Sequence, residues 1–274
     1  MIAGARCDVL LFFLNSAIRQ YGNSVQCLAM VYRSDNRTLE QMRPLNIVPD
    51  FISTAEGSAL IELGNTRVIC TASVEESVPS WMRNNGKGWI TSEYGMLPRS
   101  TLTRTARESA RGRIGGRTHE IQRLIGRSLR AVVDLARLGE RTIWVDCDVI
   151  QADGGTRTAA ITGAFVALGL AMQKLVEAGT LTHAPIRDFV AATSIGIVDG
   201  EIMLDLSYEE DSRAEVDMNF VMTGAKKMVE LQATAEQRAF DDAQLKRMIE
   251  LARRGVESLI AKQQAVLSNL LLRQ

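Results

Sequence analysis

Gln151-Ala152-Asp153-Gly154-Gly155-Thr156-Arg157-Thr158-Ala159 is the stretch on which the reading of this chain turns. It follows Thr142-Ile143-Trp144-Val145-Asp146-Cys147-Asp148-Val149-Ile150, an apolar run that predicts a buried strand, and precedes an apolar run from Ala160 to Glu177 that predicts a helix. Two glycines followed by Thr and Arg at a strand-to-helix junction suit an anion. Glycine lets the backbone approach closely, and the free N–H groups and dipole of a helix start favour negative charge. Thr156 adds a hydroxyl donor, and Arg157 adds a planar charged fork that matches phosphate. Taken alone, the run is equally well a helix start behind a glycine turn.

The residues upstream shift the balance. Nine arginines lie between Arg99 and Arg130, with no lysine and only two acids, Glu108 and Glu120, although the whole chain has a net charge of +0. The choice of Arg over Lys points to bidentate contacts with phosphate or carboxylate. From His119 to Arg137 the pattern predicts a helix. Ile121, Leu124, Ile125, Leu129, Val132 and Leu135 share one face, and Arg123, Arg127, Arg130 and Arg137 share the other, which reads as a solvated basic face. Leu97 to Thr118 has little periodicity and many Ser, Thr, Gly and Arg residues. It predicts a loop with a short helical turn, whose arginines serve no apolar face and are better placed for phosphate contact.

Composition removes several classes. The length of 274 residues allows one large domain or two small ones. Four cysteines without paired spacing or nearby histidines give neither a disulfide framework nor a zinc site. Cys70 and Cys147 sit in strand patterns and are expected to be buried thiols. No transmembrane span is expected, since the run Val9 to Leu14 is too short to cross a bilayer. Residues 1–30 match none of the patterns below. Arg6 before an apolar run allows a signal peptide, but the simpler expectation is translation from near Met30, with residues 1–30 a disordered extension and residues 31–274 the functional domain.

Along the remainder, Ser58–Leu63 and Thr66–Val74 flank Gly64-Asn65, a hairpin signal, and Trp89–Met96 predicts another strand. Phe189–Val198 and Glu201–Leu206 flank Asp199-Gly200, a strong hairpin turn. Ala214–Thr223 and Lys226–Ala233 pair about Gly224, and a closing helix runs from Asp241 to about Leu267. The expected class is α/β of the α+β type, a single domain of mixed β-sheets backed by helices.

Gly86-Lys87-Gly88-Trp89-Ile90-Thr91, Glu93-Tyr94-Gly95-Met96-Leu97-Pro98-Arg99, Gly116-Arg117-Thr118, Glu120 to Arg127 and Asp148 to Arg157 occur in an order that resembles the bacterial ribonuclease PH family. The likeness continues through Leu206-Ser207-Tyr208-Glu209-Glu210-Asp211-Ser212 and Glu215-Val216-Asp217-Met218-Asn219, and runs from about Arg33 to the C-terminal helix. The resemblance implies a left-handed βαβ-type fold and a cytoplasmic, phosphate-dependent 3′→5′ exoribonuclease that trims transfer RNA precursors. It also implies a hexameric ring built as a trimer of dimers. Arg117, Gly155, Thr156 and Arg157 match the family's phosphate-binding positions and would hold inorganic phosphate, the co-substrate. Asp211 and Asp217 match the paired acidic positions for a divalent ion and the general acid. Mg²⁺ is the expected ion, because hard oxygen ligands and phosphate suit it. Arg99, Arg104 and Arg107 match basic positions that hold the RNA backbone, contacts insensitive to base sequence.

Without the resemblance, Glu209-Glu210-Asp211 reads as a solvated acidic turn. Asp217, between Val216 and Met218, reads as a buried carboxylate in need of a partner. Two rival functions remain. One is a non-catalytic RNA-binding ring subunit of an exosome-type assembly, which would lose the phosphate-site arginines or the acids. The other is a small-molecule kinase on a related fold that uses the Gly-Gly-Thr turn for nucleotide phosphates; against it stands the absence from this chain of a Gly-rich ATP loop such as Gly-x-x-x-x-Gly-Lys-Ser/Thr.

Overall fold

Alternating apolar residues set up the first meander of strands. The computed structural model describes residues 33–108, 110 and 112–268, so the expectations for residues 1–30 lie outside the described residues. β1 (Leu45–Pro49), β2 (Gly57–Leu63) and β3 (Thr66–Glu75) run antiparallel, with Leu63 opposite Thr66 across the expected Gly64-Asn65 turn. β4 (Trp89–Met96) and β5 (Thr142–Gln151) complete a sheet ordered β1-β2-β3-β5-β4. β5 is antiparallel to β3 and parallel to β4, so β4, the intervening helix and β5 form a βαβ unit.

That helix, α1 (Gly116–Arg130), starts earlier and ends sooner than the run His119–Arg137 implied. Val132 O accepts a hydrogen bond from Arg187 N at 2.7 Å and Val133 bridges Ile186, which pulls the chain out of helical geometry. Asp134 then caps a second helix, α2 (Leu135–Leu138), accepting from the backbone N–H groups of Ala136 and Arg137. An Asp satisfies a helix start better than a helix interior, which accounts for the break.

α3 (Thr156–Glu177) is apolar all round because it lies between two sheets, packed on β2 and β3 on one side and on β6 on the other. It is the one described helix long and apolar enough to cross a membrane, and 78% of that apolar window is buried inside the protein. The second sheet is antiparallel, ordered β7-β6-β8-β9, from β6 (Val190–Val198), β7 (Glu201–Leu204), β8 (Val216–Thr223) and β9 (Met228–Ala235). The expected Asp199-Gly200 turn has both residues at positive φ, 52° and 79°. α4 (Tyr208–Asp211) follows β7, and α5 (Asp242–Val266) opens with an Asp241–Gln244 capping box. Cys70 and Cys147 are buried and face each other on β3 and β5. One hydrophobic core runs through both sheets.

Charge is buried at the junction. Arg33, Arg37 and Arg43 are each only 5% exposed, and Asp205 and Glu210 are 1% and 3% exposed. Arg33 chelates the Glu210 carboxylate and donates to the carbonyls of Leu204 and Asp205. Arg37 donates to Asp205 O at 3.0 Å and lies 3.6 Å from Glu210 Oε2. Arg43 grips Asp205 by two side-chain contacts, at 3.0 and 2.6 Å. The acidic run is therefore not a solvated turn: Glu210 points inward as a counter-ion, Asp211 lines a groove, and Glu209 is exposed. Burial works to raise the Glu210 pKa, but the Arg33 hydrogen bonds, the Ser207 N–H and the charges of Arg33 and Arg37 outweigh it and hold it below the usual glutamate range.

Glu210→Gln keeps the shape and leaves Arg33 without its carboxylate. Removing one partner of a buried pair costs about 3–5 kcal/mol, so denaturant unfolding at pH 7 should show a loss of that order. Because the Glu210 pKa is depressed, its contribution is present above the unfolded value of about 4.3 and is lost as pH falls below it. The parent should destabilise through that acid range more steeply than the variant.

Candidate active site

Arg117 lies in the first turn of α1 and Arg157 in the first turn of α3; neither turn holds an acid, and no side chain caps either helix. Helix N-termini favour anions, so a cation in each first turn opposes the dipole and concentrates positive potential at one place. Both arginines line a single groove of about 1020 Å³, together with Gly154, Gly155, Thr156, Asp211 and Asp217. Residues separated by a hundred positions are thus brought to one site.

The glycine turn is built for close approach. Gly154 and Gly155 have φ of 73° and 64°, left-handed values that strain any other residue. A Cβ on Gly154 would also lie 2.5 Å from Leu206 O. Thr66 Oγ1 clasps the turn, donating to Gly154 O at 2.7 Å and accepting from Asp153 N at 2.9 Å. Arg43 donates to the Asp153 carbonyl from beneath. Burial works against the charge on Arg43, but Asp205, then Asp153 and Glu210, overcome it and hold the guanidinium charged.

Around the turn, side chains fix one another. The buried Tyr94 hydroxyl donates to Thr156 Oγ1 at 2.9 Å. Arg157 Nη1 donates to Gln232 Oε1 at 3.3 Å, and Gln232 Nε2 donates to Glu120 Oε1 at 2.8 Å. This chain ties α1, α3 and β9 across the groove.

The acids occupy another part of the same groove. Asp211 ends α4, and Asp217 projects from β8, where Asn219 Nδ2 donates to its Oδ2 at 3.3 Å. Burial, then the charge of Asp211, pushes the Asp217 pKa up to about 6, against the opposing pull of Arg157, Asn219 and Arg117. Burial also raises Asp211, opposed by Arg117, Arg157 and Arg43. Among the described residues no three His, Cys, Asp or Glu side chains gather into a metal site. Two carboxylates that resist joint ionisation fit a Mg²⁺ that keeps several waters and takes its other ligands from phosphate.

Arg99, Arg104 and Arg107 do not line the groove. They are exposed on the loop after β4, whose Thr101, Leu102 and Thr103 do line it. Arg99 donates to Leu102 O at 3.0 Å, and Glu108 closes the loop by accepting from Gly115 N and Thr118 Oγ1. Sequence reasoning missed Arg43, Tyr94, Asn219 and Gln232 as site residues. Asn219 was within reach, since it lies two positions after Asp217 on the same face of a strand, and Gln232 stands opposite it in the β8–β9 register.

Comparison with known proteins agrees with this geometry. The models described as 3′ exoribonuclease family, domain 1 and domain 2, match residues 41–172 and 188–255. A protein named Ribonuclease PH from Solibacter usitatus is 61% identical over 235 residues, covering 86% of this chain and 99% of its own. Another of that name from Bacillus subtilis is 60% identical over 238 residues, covering 86% and 97%. Among solved structures, the Archaeoglobus fulgidus exosome with RNA bound to the active site has a TM-score of 0.71 at 22% identity, covering 93% of this chain and 98% of that one. Rice Rrp46 gives 0.70 at 20%, covering 86% and 100%. At those identities the structures speak for the fold alone; the relatives at about 60% identity, spanning nearly their whole length, show that this chain belongs to the ribonuclease PH family.

Proposed function

We propose that this chain is a phosphate-dependent 3′→5′ exoribonuclease that releases nucleoside diphosphates and, in reverse, adds nucleotides to RNA 3′ ends. The observation that carries the reading is the convergence of two uncapped, arginine-bearing helix starts and two carboxylates on one groove. In the forward reaction a phosphate oxygen bonds to the terminal phosphorus, and the bond from that phosphorus to the 3′-oxygen of the preceding nucleotide breaks. The departing oxygen takes a proton and leaves a shortened RNA with a free 3′-hydroxyl. Two anions must be held in contact, which requires preorganised positive charge and N–H donors. Arg117, Gly155, Thr156 and Arg157 are the groups assigned to the attacking phosphate. Asp211 and Asp217 are assigned to the leaving oxygen, and a carboxyl with a pKa of about 6 is suited to hold or release a proton near neutrality. The same pair would hold Mg²⁺, which would neutralise charge at that oxygen.

Transfer RNA precursors are the proposed substrate, a hexameric ring built as a trimer of dimers the proposed assembly, and the cytoplasm the proposed compartment. Arg99, Arg104 and Arg107, exposed beside the groove mouth, are the proposed contacts to the RNA backbone. A non-catalytic ring subunit is disfavoured because the phosphate-site arginines and both acids are present and share one groove. The test is RNA loss from the 3′ end with and without inorganic phosphate. Nucleoside diphosphates should form only with phosphate; monophosphates released in phosphate-free buffer would overturn the reading.

Arg117→Ala and Arg157→Ala should each raise the apparent KM for phosphate by about one to two orders of magnitude, the equivalent of one lost charge-assisted contact. Steady-state rates against phosphate concentration give the answer, and unchanged KM in both variants would refute the assignment.

Asp217→Asn should fold and lose at least about a hundredfold in turnover, within the range for a positioned acid. Its stability should change with the opposite sign. A carboxyl whose pKa is raised from 3.8 to about 6 stabilises the fold least once ionised, so the penalty develops as pH rises through that window. In metal-free buffer the variant should melt above the parent at pH 8 and level with it below about pH 4. A variant of full activity would defeat the role assigned to Asp217.

Replacing Arg99, Arg104 and Arg107 together with Ala should weaken long-RNA binding and flatten the dependence of log affinity on log salt by about 0.7 per lost contact. An unchanged salt slope on an intact assembly would remove them from the RNA path.

A further inference from the structure

Among the described residues ten large apolar side chains are exposed, and three of them, Met96, Leu102 and Tyr208, line the same charged groove. Their exposures are 39%, 87% and 57%. A groove that binds only phosphate has no use for them, because unhydrated apolar surface beside an anion site weakens rather than helps its solvation. Phosphorolysis of RNA, however, delivers a nucleobase with every terminal phosphate.

The backbone brings these side chains to one place. The chain at Ser100, two residues before Leu102, accepts a hydrogen bond from Ala152 N at 2.8 Å. Tyr208 N donates to Asp153 Oδ1 at 3.2 Å. The loop and α4 are therefore both anchored to adjacent residues at the base of the Gly154-Gly155 turn. Tyr208 also stands three residues before Asp211 in α4, so the ring and the carboxylate share one side of the helix. Its mount is rigid: Ser207 and Glu210 form a capping box, and Glu210 is clamped by Arg33. Tyr208 and Asp211 both line the groove.

We infer that Tyr208, with Met96 and Leu102, forms a subsite for the 3′-terminal nucleobase, in which the tyrosine ring is the stacking platform. The inference rests on the exoribonuclease reading above and names the part of the substrate that this surface takes. Stacking accepts any base, because every base has a π-face, so the subsite grips the terminal nucleotide without selecting among sequences. It also positions the scissile phosphodiester between the arginines and the acids, where backbone contacts alone would allow the strand to slide.

The experiment uses short RNAs carrying 2-aminopurine as the 3′-terminal base, mixed with the full-length protein in phosphate-free buffer, where fluorescence reports stacking without turnover. Quenching is expected with the parent and with Tyr208→Phe, and its loss with Tyr208→Ala, alongside affinity weakened roughly tenfold for a short RNA. A second probe needs no variant: RNA ending in an abasic ribose should bind the parent more weakly by a similar factor, and Tyr208→Ala should bind both RNAs alike. Equal quenching with Tyr208→Ala, or an abasic RNA bound by the parent as tightly as the intact one, would overturn the subsite. Product analysis of the parent with phosphate separates the two claims, since nucleoside diphosphates can form with a terminal base that never stacks on Tyr208.

Discussion

Three buried arginines set around two buried carboxylates are the constraint on which the rest of this structure depends. Arg33, Arg37 and Arg43 come from the segment before β1, whereas Asp205 and Glu210 flank the junction of β7 and α4. The network therefore fastens the start of the described chain to the second sheet. It reaches the site as well, because Arg43 donates to the carbonyl of Asp153 and Glu210 fixes the helix that carries Asp211. Such pairs recover their desolvation only when geometry and hydrogen bonds are satisfied together, which is why removing one partner costs more than the intact pair contributes. Here the arrangement they specify is the placement of the Gly154-Gly155 turn relative to the Asp211 carboxylate.

The groove itself is held out of electrostatic balance. Two helix dipoles and two first-turn arginines raise the potential in one part of it, and in another lie two carboxylates, Asp217 held back from ionising by burial and by the charge of Asp211. On the proposed function, the substrates complete both halves, an anion for the arginines and a cation or proton for the acids. The Arg157–Gln232–Glu120 chain ties the guanidinium to β9 and α1 at the groove. Preorganisation of this kind is paid for in folding, where the core supplies it, and is then free at the moment of reaction.

What the sequence made legible follows from the range of the forces involved. Gly64-Asn65 and Asp199-Gly200 fixed their hairpins because turn geometry is decided within four residues. The glycine turn before α3 was readable for the same reason. The break between α1 and α2 was not, because it depends on pairing with Pro185–Arg187, fifty residues away. Nor was the inward turn of Glu210: an acid flanked by acids reads as solvated until three arginines from the other end of the chain are placed around it. The motifs that carried the family resemblance reached Arg117, Arg157, Asp211 and Asp217, yet nothing local revealed Gln232, whose only signal is its register opposite Asn219.

Precision at the site traces finally to α3. A helix between two sheets can have no polar face, which is why its sequence resembles a membrane span while 78% of its apolar window is buried inside the protein. It also lies unusually close to β2: a Cβ on Gly57 would fall 2.0 Å from Ala167 O, so backbone rests directly on backbone. Close-packed interiors deform little, and a helix held by both sheets cannot slide or tilt without moving them. Its first turn, carrying Thr156 and Arg157, inherits that rigidity, and the Thr156 hydroxyl is pinned further by the buried Tyr94. The groove-lining end of a helix packed between both sheets is thus where Thr156 and Arg157 are placed, whereas the arginines expected to follow a flexible RNA strand sit on a loop. The division matches the chemistry: a misplaced phosphate loses in-line geometry, while a backbone contact to a long polymer can adjust.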